Sequence, residues 1–242
     1  MKIIADLHTH TLVSQHAYST LDELSLAAAQ NGFCAIAVTD HGPGMPDGAI
    51  AHHFFCLNGL PEKINNVRLY KGAEVNIMNY TGGLDMEDSL LGRLDFVIAS
   101  YHTECITPGS VTQHTQGFLK ALENPHVDCL GHCGNPAFPI DAEAVVAACA
   151  KYNKLIEINS SSFRIRPGSN ATCRDIAQLC ARKGVFVVVN SDAHSKWQVG
   201  EHSDAVSMLE TIHFPEELVI NSDKQRLYQY FSQKAARQIS EP

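Results

Sequence analysis

The sequence predicts an α/β domain, most simply a barrel, and three observations carry that expectation. Seven short apolar, β-branched runs alternate with longer stretches of helical period. Several runs are apolar throughout, Val185-Phe186-Val187-Val188-Val189 most clearly, as parallel strands covered on both faces must be. The 242 residues, 45% hydrophobic and 18% charged, suit one barrel-sized domain spanning 1–242, with no repeat, low-complexity tract or linker to divide it.

In chain order the strands are expected at 3–8, 35–39, 68–75, 95–101, 127–132, 155–159 and 185–190. The first helix opens on Thr20-Leu21-Asp22-Glu23, which has capping-box form, and Gly32 is placed to stop it. The stretch 42–61, with its Gly, Pro and paired His52-His53, reads as a loop and a candidate lid. Those two histidines fit either plain loop residues or substrate contacts. Asp141 can cap a helix over 142–152, another helix runs from about 170 to Gly184, and two more, about 204–211 and 223–234, close the chain.

Composition excludes several classes. A formal net charge of −8 argues against a surface that binds nucleic acid or anionic membrane by bulk charge. No apolar run reaches membrane-spanning length, and a cleaved leader would remove His8, so a cytoplasmic protein is expected. The eight cysteines include no CxxC pair and read as reduced structural thiols. A homo-oligomer is compatible with everything in the sequence. The conspicuous number is thirteen histidines against one tryptophan.

Polar residues collect where the strands end. The first strand runs into His8 and His10, the second into Asp40-His41, and the third carries Glu74. The next two end at His102 and His132, and the last at Asp192-Ala193-His194, while His16 sits just past the first strand. Six of seven strands thus deliver a candidate metal ligand at the carboxyl end, where barrel enzymes place their chemistry. His8 and His10 are two apart in extended chain and can chelate one ion, a device repeated by Asp192 and His194. Asp6 shares their parity and is expected to orient one of them from behind; Asp40 and Asn135 fit either orienting roles or turns. Seven imidazoles with two carboxylates favour zinc, with manganese or iron as alternatives, over magnesium or calcium. Nine candidates at three to four per ion imply two or three ions. Such a cluster is net positive and suits a small-molecule phosphate ester, attacked by a metal-bound hydroxide. His114, His126, His202 and His213 lie on or beside helices and are expected to be surface or satisfied core residues.

The motifs Asp6-Leu7-His8-Thr9-His10-Thr11, Thr39-Asp40-His41-Gly42, Glu74, His102, His132-Cys133-Gly134-Asn135-Pro136 and Ser191-Asp192-Ala193-His194 resemble, in that order, those of the PHP (polymerase and histidinol phosphatase) superfamily. The contexts His16-Ala17-Tyr18-Ser19-Thr20 and Glu157-Ile158-Asn159-Ser160-Ser161-Ser162-Phe163 extend the likeness to its YcdX-like phosphatase branch, from residue 2 to about residue 235. The resemblance implies a distorted seven-stranded, TIM-barrel-like (β/α)7 fold with a trinuclear centre, usually of zinc. By that likeness His8, His10, Glu74 and Asp192 hold one ion. Glu74, His102 and His132 hold the second with Glu74 bridging, and His16, His41 and His194 the third. Arg164 and Arg166 are candidates for a phosphate clamp, and Ser161 for a hydrogen bond to the phosphate.

The activity expected is phosphate monoester hydrolysis. An amidohydrolase also opens with HxH on its first strand, but it generally needs a bridging lysine on the fourth, where Tyr101-His102 stands. A nuclease or phosphodiesterase fits poorly with the acidic balance. A non-catalytic metal scaffold fits poorly with a full ligand set.

Overall fold

The computed structural model describes residues 1–240. Seven parallel strands form the barrel wall in the order β1 (Ala5–Asp6), β2 (Ala35–Val38), β4 (Val67–Asn76), β5 (Phe96–Ser100), β6 (Cys129–Leu130), β7 (Leu155–Asn159) and β8 (Val187–Asn190). All seven correspond to predicted runs, most of them shorter. The additional β3 (Lys63–Ile64) pairs antiparallel with the start of β4, Lys63 opposite Arg68 and Ile64 opposite Val67.

Alternation along the strands sorts the core into two layers. Ala35 and Ala37 of β2, Tyr70 of β4, Phe96 and Ile98 of β5 and Val188 of β8 fill the inside of the barrel. Ile36, Val38, Leu69, Val97, Val187 and Val189 face outward, under the helices. Among those helices, α1 (Leu21–Gln30) has both halves of its Thr20–Glu23 capping box, and Gly32, at φ +72°, takes the left-handed turn that ends it. Asp141 caps α5 (Ala142–Tyr152) through the Ala144 amide at 3.1 Å. The region read as a lid instead contains α2 (Ala51–Cys56) and a 3-10 turn over Leu57–Gly59. Phe54 and Leu57, three apart, are buried in the outer layer and fix that helix against the barrel.

Later helices are α3 (Asp88–Leu91), α4 (Val111–Leu122), α6 (Ser162–Ile165), α7 (Ser169–Lys183), α8 (Ser203–Thr211) and α9 (Lys224–Ser240). From α9, Leu227 and Phe231 enter the inner layer, the Phe231 ring stacking on Tyr70 at 3.5 Å, so the helix plugs the floor of the barrel. Among the described residues, no helix is long and apolar enough to cross a membrane.

Between β8 and β1 no ladder forms among the described residues. A single bridge, Thr9 to Ala193, joins them at the carboxyl end. Lower down, the fully buried Asn221 spans the gap with its side chain. Its Nδ2 donates to the Ala5 carbonyl at 2.8 Å and the Val189 carbonyl at 2.6 Å, and its Oδ1 accepts from the Val189 amide at 3.1 Å. One amide therefore pairs backbone groups of both strands that would otherwise be orphaned. Above it, the Leu7 amide donates to Asn190 Oδ1 at 3.0 Å.

Candidate metal centre

The inward parity of β4 (Tyr70, Gly72, Glu74, Asn76) carries Glu74 up to the carboxyl rim of the barrel. There its two oxygens face different sets of rings. Oε1 lies 2.9 Å from His132 Nε2 and 3.4 Å from His102 Nε2. Oε2 lies 2.9 Å from His41 Nδ1, 3.2 Å from His8 Nε2 and 3.6 Å from His10 Nε2. Asp192 Oδ1 completes one corner, 3.4 Å from His8 Nε2 and 3.2 Å from His10 Nε2.

These separations test whether metal ions fit. Donors around a tetrahedral ion at about 2.0–2.1 Å are separated by about 3.3 Å, and the His8 and His10 nitrogens lie 3.2–3.6 Å from Glu74 Oε2 and Asp192 Oδ1. His8 Nε2, His10 Nε2, His41 Nδ1 and Glu74 Oε2 are all buried and all lack a hydrogen-bond partner. Buried polar atoms are ordinarily paired, so four orphans aimed at one region form a donor set for cations. Three groups of donors converge closely enough for an ion: His8 with His10 and Glu74, His41 with Glu74 and His102, and His10 with His41 and His194. His16 adjoins the last of these, its Nε2 3.0 Å from His194 Nε2. All nine residues named from the sequence therefore sit at one rim.

Backbone strain marks the same place. His132, at φ +29°, and Asp192, at φ +57°, occupy the left-handed region that favours glycine. Before His132, a Cβ on Gly131 would meet Ser100 Oγ at 2.2 Å, so only glycine lets β6 approach β5 this closely.

Hydrogen bonds behind the donors fix their rings. His8 Nδ1 meets Glu157 Oε1 at 2.6 Å, His102 Nδ1 meets Asn76 Oδ1 at 2.7 Å, His16 Nδ1 meets Asp47 Oδ2 at 2.7 Å, and His194 Nδ1 meets the Asp192 carbonyl at 3.0 Å. Glu157, one of the residues sequence reasoning left without a role, is a hub. Its Oε1 also accepts from Asn190 Nδ2 at 2.9 Å, and its Oε2 from the His132 amide at 2.8 Å and Asn159 Nδ2 at 3.2 Å. Asn159 in turn donates to Asp192 Oδ2 at 3.1 Å. Glu157→Gln is therefore expected to weaken any divalent ion's hold at this centre about 10- to 100-fold, read by titration of the metal against a competing chelator. Unchanged metal affinity would show that Glu157 merely fills space.

Charge follows from this crowding. Burial opposes an ionised Glu74, but His8, His102 and His41 outweigh it and hold the carboxyl well below its usual range. Asp192 is likewise held well below, burial being overcome by His8, His10 and His194. Burial also opposes a charged His8, yet Glu157, Glu74 and Asp192 raise it well above an ordinary histidine. Burial, then the Arg166 guanidinium, push His132 down to about 4. Burial and the neighbouring His194 and His41 also hold His10 well below an ordinary histidine. At neutral pH the two carboxylates are thus ionised, and His10 and His132 are neutral, the form a ligand needs.

Some other expectations need correction, and others are decided. Asp6 does not orient His8 or His10: it accepts from the Ser191 amide at 3.1 Å, Ser191 Oγ and the Gly200 amide at 3.1 Å, with His202 Nε2 3.5 Å away. Ala5 and Leu7 face the inner core, so Asp6 faces outward, and the alternation breaks before His8 because the β1 ladder stops at Asp6. Asp40 contacts no ligand nitrogen of the cluster but ties down the loop, accepting from the Thr11 amide and Ser14 Oγ, both at 2.8 Å. Ser14 Oγ accepts from the His41 amide at 3.1 Å, so Asp40 acts on His41 through Ser14. Arg164 turns away to Glu201 at 2.9 Å and Asp204 at 3.6 Å, whereas Arg166 lines the cleft over the centre, 3.6 Å from Asp192. Ser161 lines it too, but its hydroxyl already donates to the Ser191 carbonyl at 2.9 Å. His52 and His53 ride on α2 outside the cleft wall. His114 is a satisfied core residue, Nε2 accepting from the Gly109 amide at 2.7 Å and Nδ1 facing the Pro139 carbonyl at 2.9 Å.

A parallel βα barrel with imidazoles and carboxylates gathered at the carboxyl rim defines the class of barrel proteins that do their chemistry there. The chain belongs to the PHP domain family, whose profile matches residues 6–161. It is 43% identical over 237 residues to a probable phosphatase of Acetivibrio thermocellus, with 98% of each chain covered. It is 44% identical over 239 residues to a probable phosphatase of Caldanaerobacter subterraneus, covering 98% of this chain and 94% of that one. A histidinol phosphate phosphatase from Lactococcus lactis, solved with zinc, L-histidinol and phosphate, superposes with a TM-score of 0.63 at 18% identity, over 87% of this chain and 94% of its own. A probable 2-pyrone-4,6-dicarboxylic acid hydrolase from Acinetobacter baumannii gives 0.53 at 13% identity, over 96% of this chain and 100% of its own. At those identities the two structures speak for the fold alone.

Proposed function

We propose that this chain is a phosphatase that hydrolyses phosphate monoesters at a centre of two or three divalent ions, zinc before manganese or iron. The observation that carries the proposal is Glu74: each carboxylate oxygen faces its own set of imidazole nitrogens, the arrangement a bridging ligand requires. The probable phosphatases that match nearly the whole chain support the same reading. His8, His10, Glu74 and Asp192 would hold one ion, Glu74, His102 and His132 a second, and His16, His41 and His194 a third. When bound, such ions supply a nucleophile near neutral pH and positive charge for the phosphoryl oxygens. The chain's own part is positional. Glu157, Asn76 and Asp47 fix the ring planes, and Arg166 stands at the cleft wall as a charged donor for the phosphoryl group.

Protein reconstituted with zinc is expected to retain about two to three ions per chain and to hydrolyse an aryl phosphate. Chelation should abolish that activity and added zinc restore it. One ion or fewer per chain would overturn the centre. A full complement without hydrolysis of any phosphate ester would overturn the reaction.

A further inference from the structure

The cleft over the centre, of about 840 Å³, is divided by charge. One arc comes from the loops after β2 and β5, which touch where Cys105 Sγ lies 3.5 Å from the Gly44 carbonyl. It presents two carboxylates, Asp47 and the exposed Glu104. The other arc comes from the loops after β6 and β7, which meet at Gly168, where a Cβ would lie 3.1 Å from Pro136. It presents Pro136, Ala137, Ile165 and Pro167 around Arg166, with Asn135 and Ser161 beside them. Ile165 is left 62% exposed there. Arg166 is the lysine or arginine of this wall among the described residues, and it is already engaged, its Nη1 2.9 Å from Ser162 Oγ and 3.6 Å from Asp192.

We propose that the site selects phosphate monoesters whose leaving group is apolar on one face and carries no second negative charge. The inference rests on the phosphatase reading and adds the substrate class to it. A phosphoryl group seated on the centre beside Arg166 leaves its organic half to the remaining wall. On one side that half meets Pro136, Ala137, Ile165 and Pro167, which offer apolar surface, with the neutral side chain of Asn135 as the polar group beside them. On the other it meets Asp47 and Glu104, which repel a carboxylate or second phosphate. With Arg166 turned to the reacting group, no ammonium or guanidinium of the described wall remains to pair with a distal anion. A bisphosphate or a phosphorylated carboxylic acid therefore pays desolvation and repulsion that a neutral aryl or alkyl ester avoids.

The test compares phenyl phosphate with 3-carboxyphenyl phosphate, a pair that differs by one distal charge, on the zinc-reconstituted enzyme. The expected kcat/KM is at least about tenfold lower for the carboxylated ester. Glu104→Gln should narrow that ratio, and Glu104→Lys should narrow it more. Ile165→Ser should lower the preference for phenyl phosphate over glycerol phosphate, through KM. Equal kcat/KM for the two phenyl esters, or a ratio indifferent to Glu104→Lys, would overturn the inference while leaving the phosphatase reading in place. Failure to hydrolyse any of the three esters with zinc bound would overturn that reading, and the inference with it.

Discussion

Glu74→Gln is expected to lower phosphate ester hydrolysis about a thousandfold, or about 4 kcal/mol of barrier, and to reduce the number of ions retained. The geometry leaves no substitute for this residue. His102 and His132 are gathered around one oxygen, and His8, His10 and His41 around the other, all within 3.6 Å. A glutamine keeps the shape, removes the charge and turns an amide nitrogen toward one of those sets. Glu74→Asp keeps the charge but, one methylene shorter, cannot serve both sets, and should fall between wild type and Glu74→Gln. Metal analysis, kinetics on an aryl phosphate and a melting curve of each ion-free variant separate lost chemistry from lost fold. A Glu74→Gln enzyme with full ion content and activity within tenfold of wild type would remove the bridging role.

Asn221→Ala is expected to be the most damaging change distant from the centre, costing about 3–5 kcal/mol of stability and lowering the melting temperature by about 10 °C or more. The truncation deletes one buried amide and strands three backbone groups, the carbonyls of Ala5 and Val189 and the amide of Val189. Asn221→Asp tests the mechanism, since a carboxylate can accept from the Val189 amide but cannot donate to either carbonyl. It should be destabilised as well, despite its near-identical volume. Losses below about 1 kcal/mol for both variants, by denaturant unfolding, would show that the gap closes without this side chain.

Much of this architecture is readable from the residues because parallel strands are apolar on both faces and end abruptly in polar side chains. Glu74, His102, His132 and Asp192 stand out on that ground. Glu157 carries a comparable signal, being a carboxylate between Ile156 and Ile158 at the same inward parity as Leu155 and Asn159, and its role depends on partners from other strands. The pairing of Asn76 with His102 depends on the register of β4 against β5, and that of Asp47 with His16 on how separate loops fold over the rim, neither of which a local pattern encodes. Asp6 misleads for a related reason, since parity predicts direction only while a ladder lasts, and this one ends at Asp6. Arg164 and Arg166, two apart, diverge because α6 is a single turn rather than a strand.

The seam between β8 and β1 has a consequence for the order in which this molecule is made. His8 and His10 leave the ribosome before Asp192 and His194, and Asn221 follows later still. The intervening strands can pair successively with their neighbours, but the last gap joins the first and last strands of the barrel and is the costliest loop to close. The corner shared by His8, His10 and Asp192 is thus assembled only at ring closure. Ions held there would bind the closed ring more tightly than the open one, and would act as a latch on the final folding step.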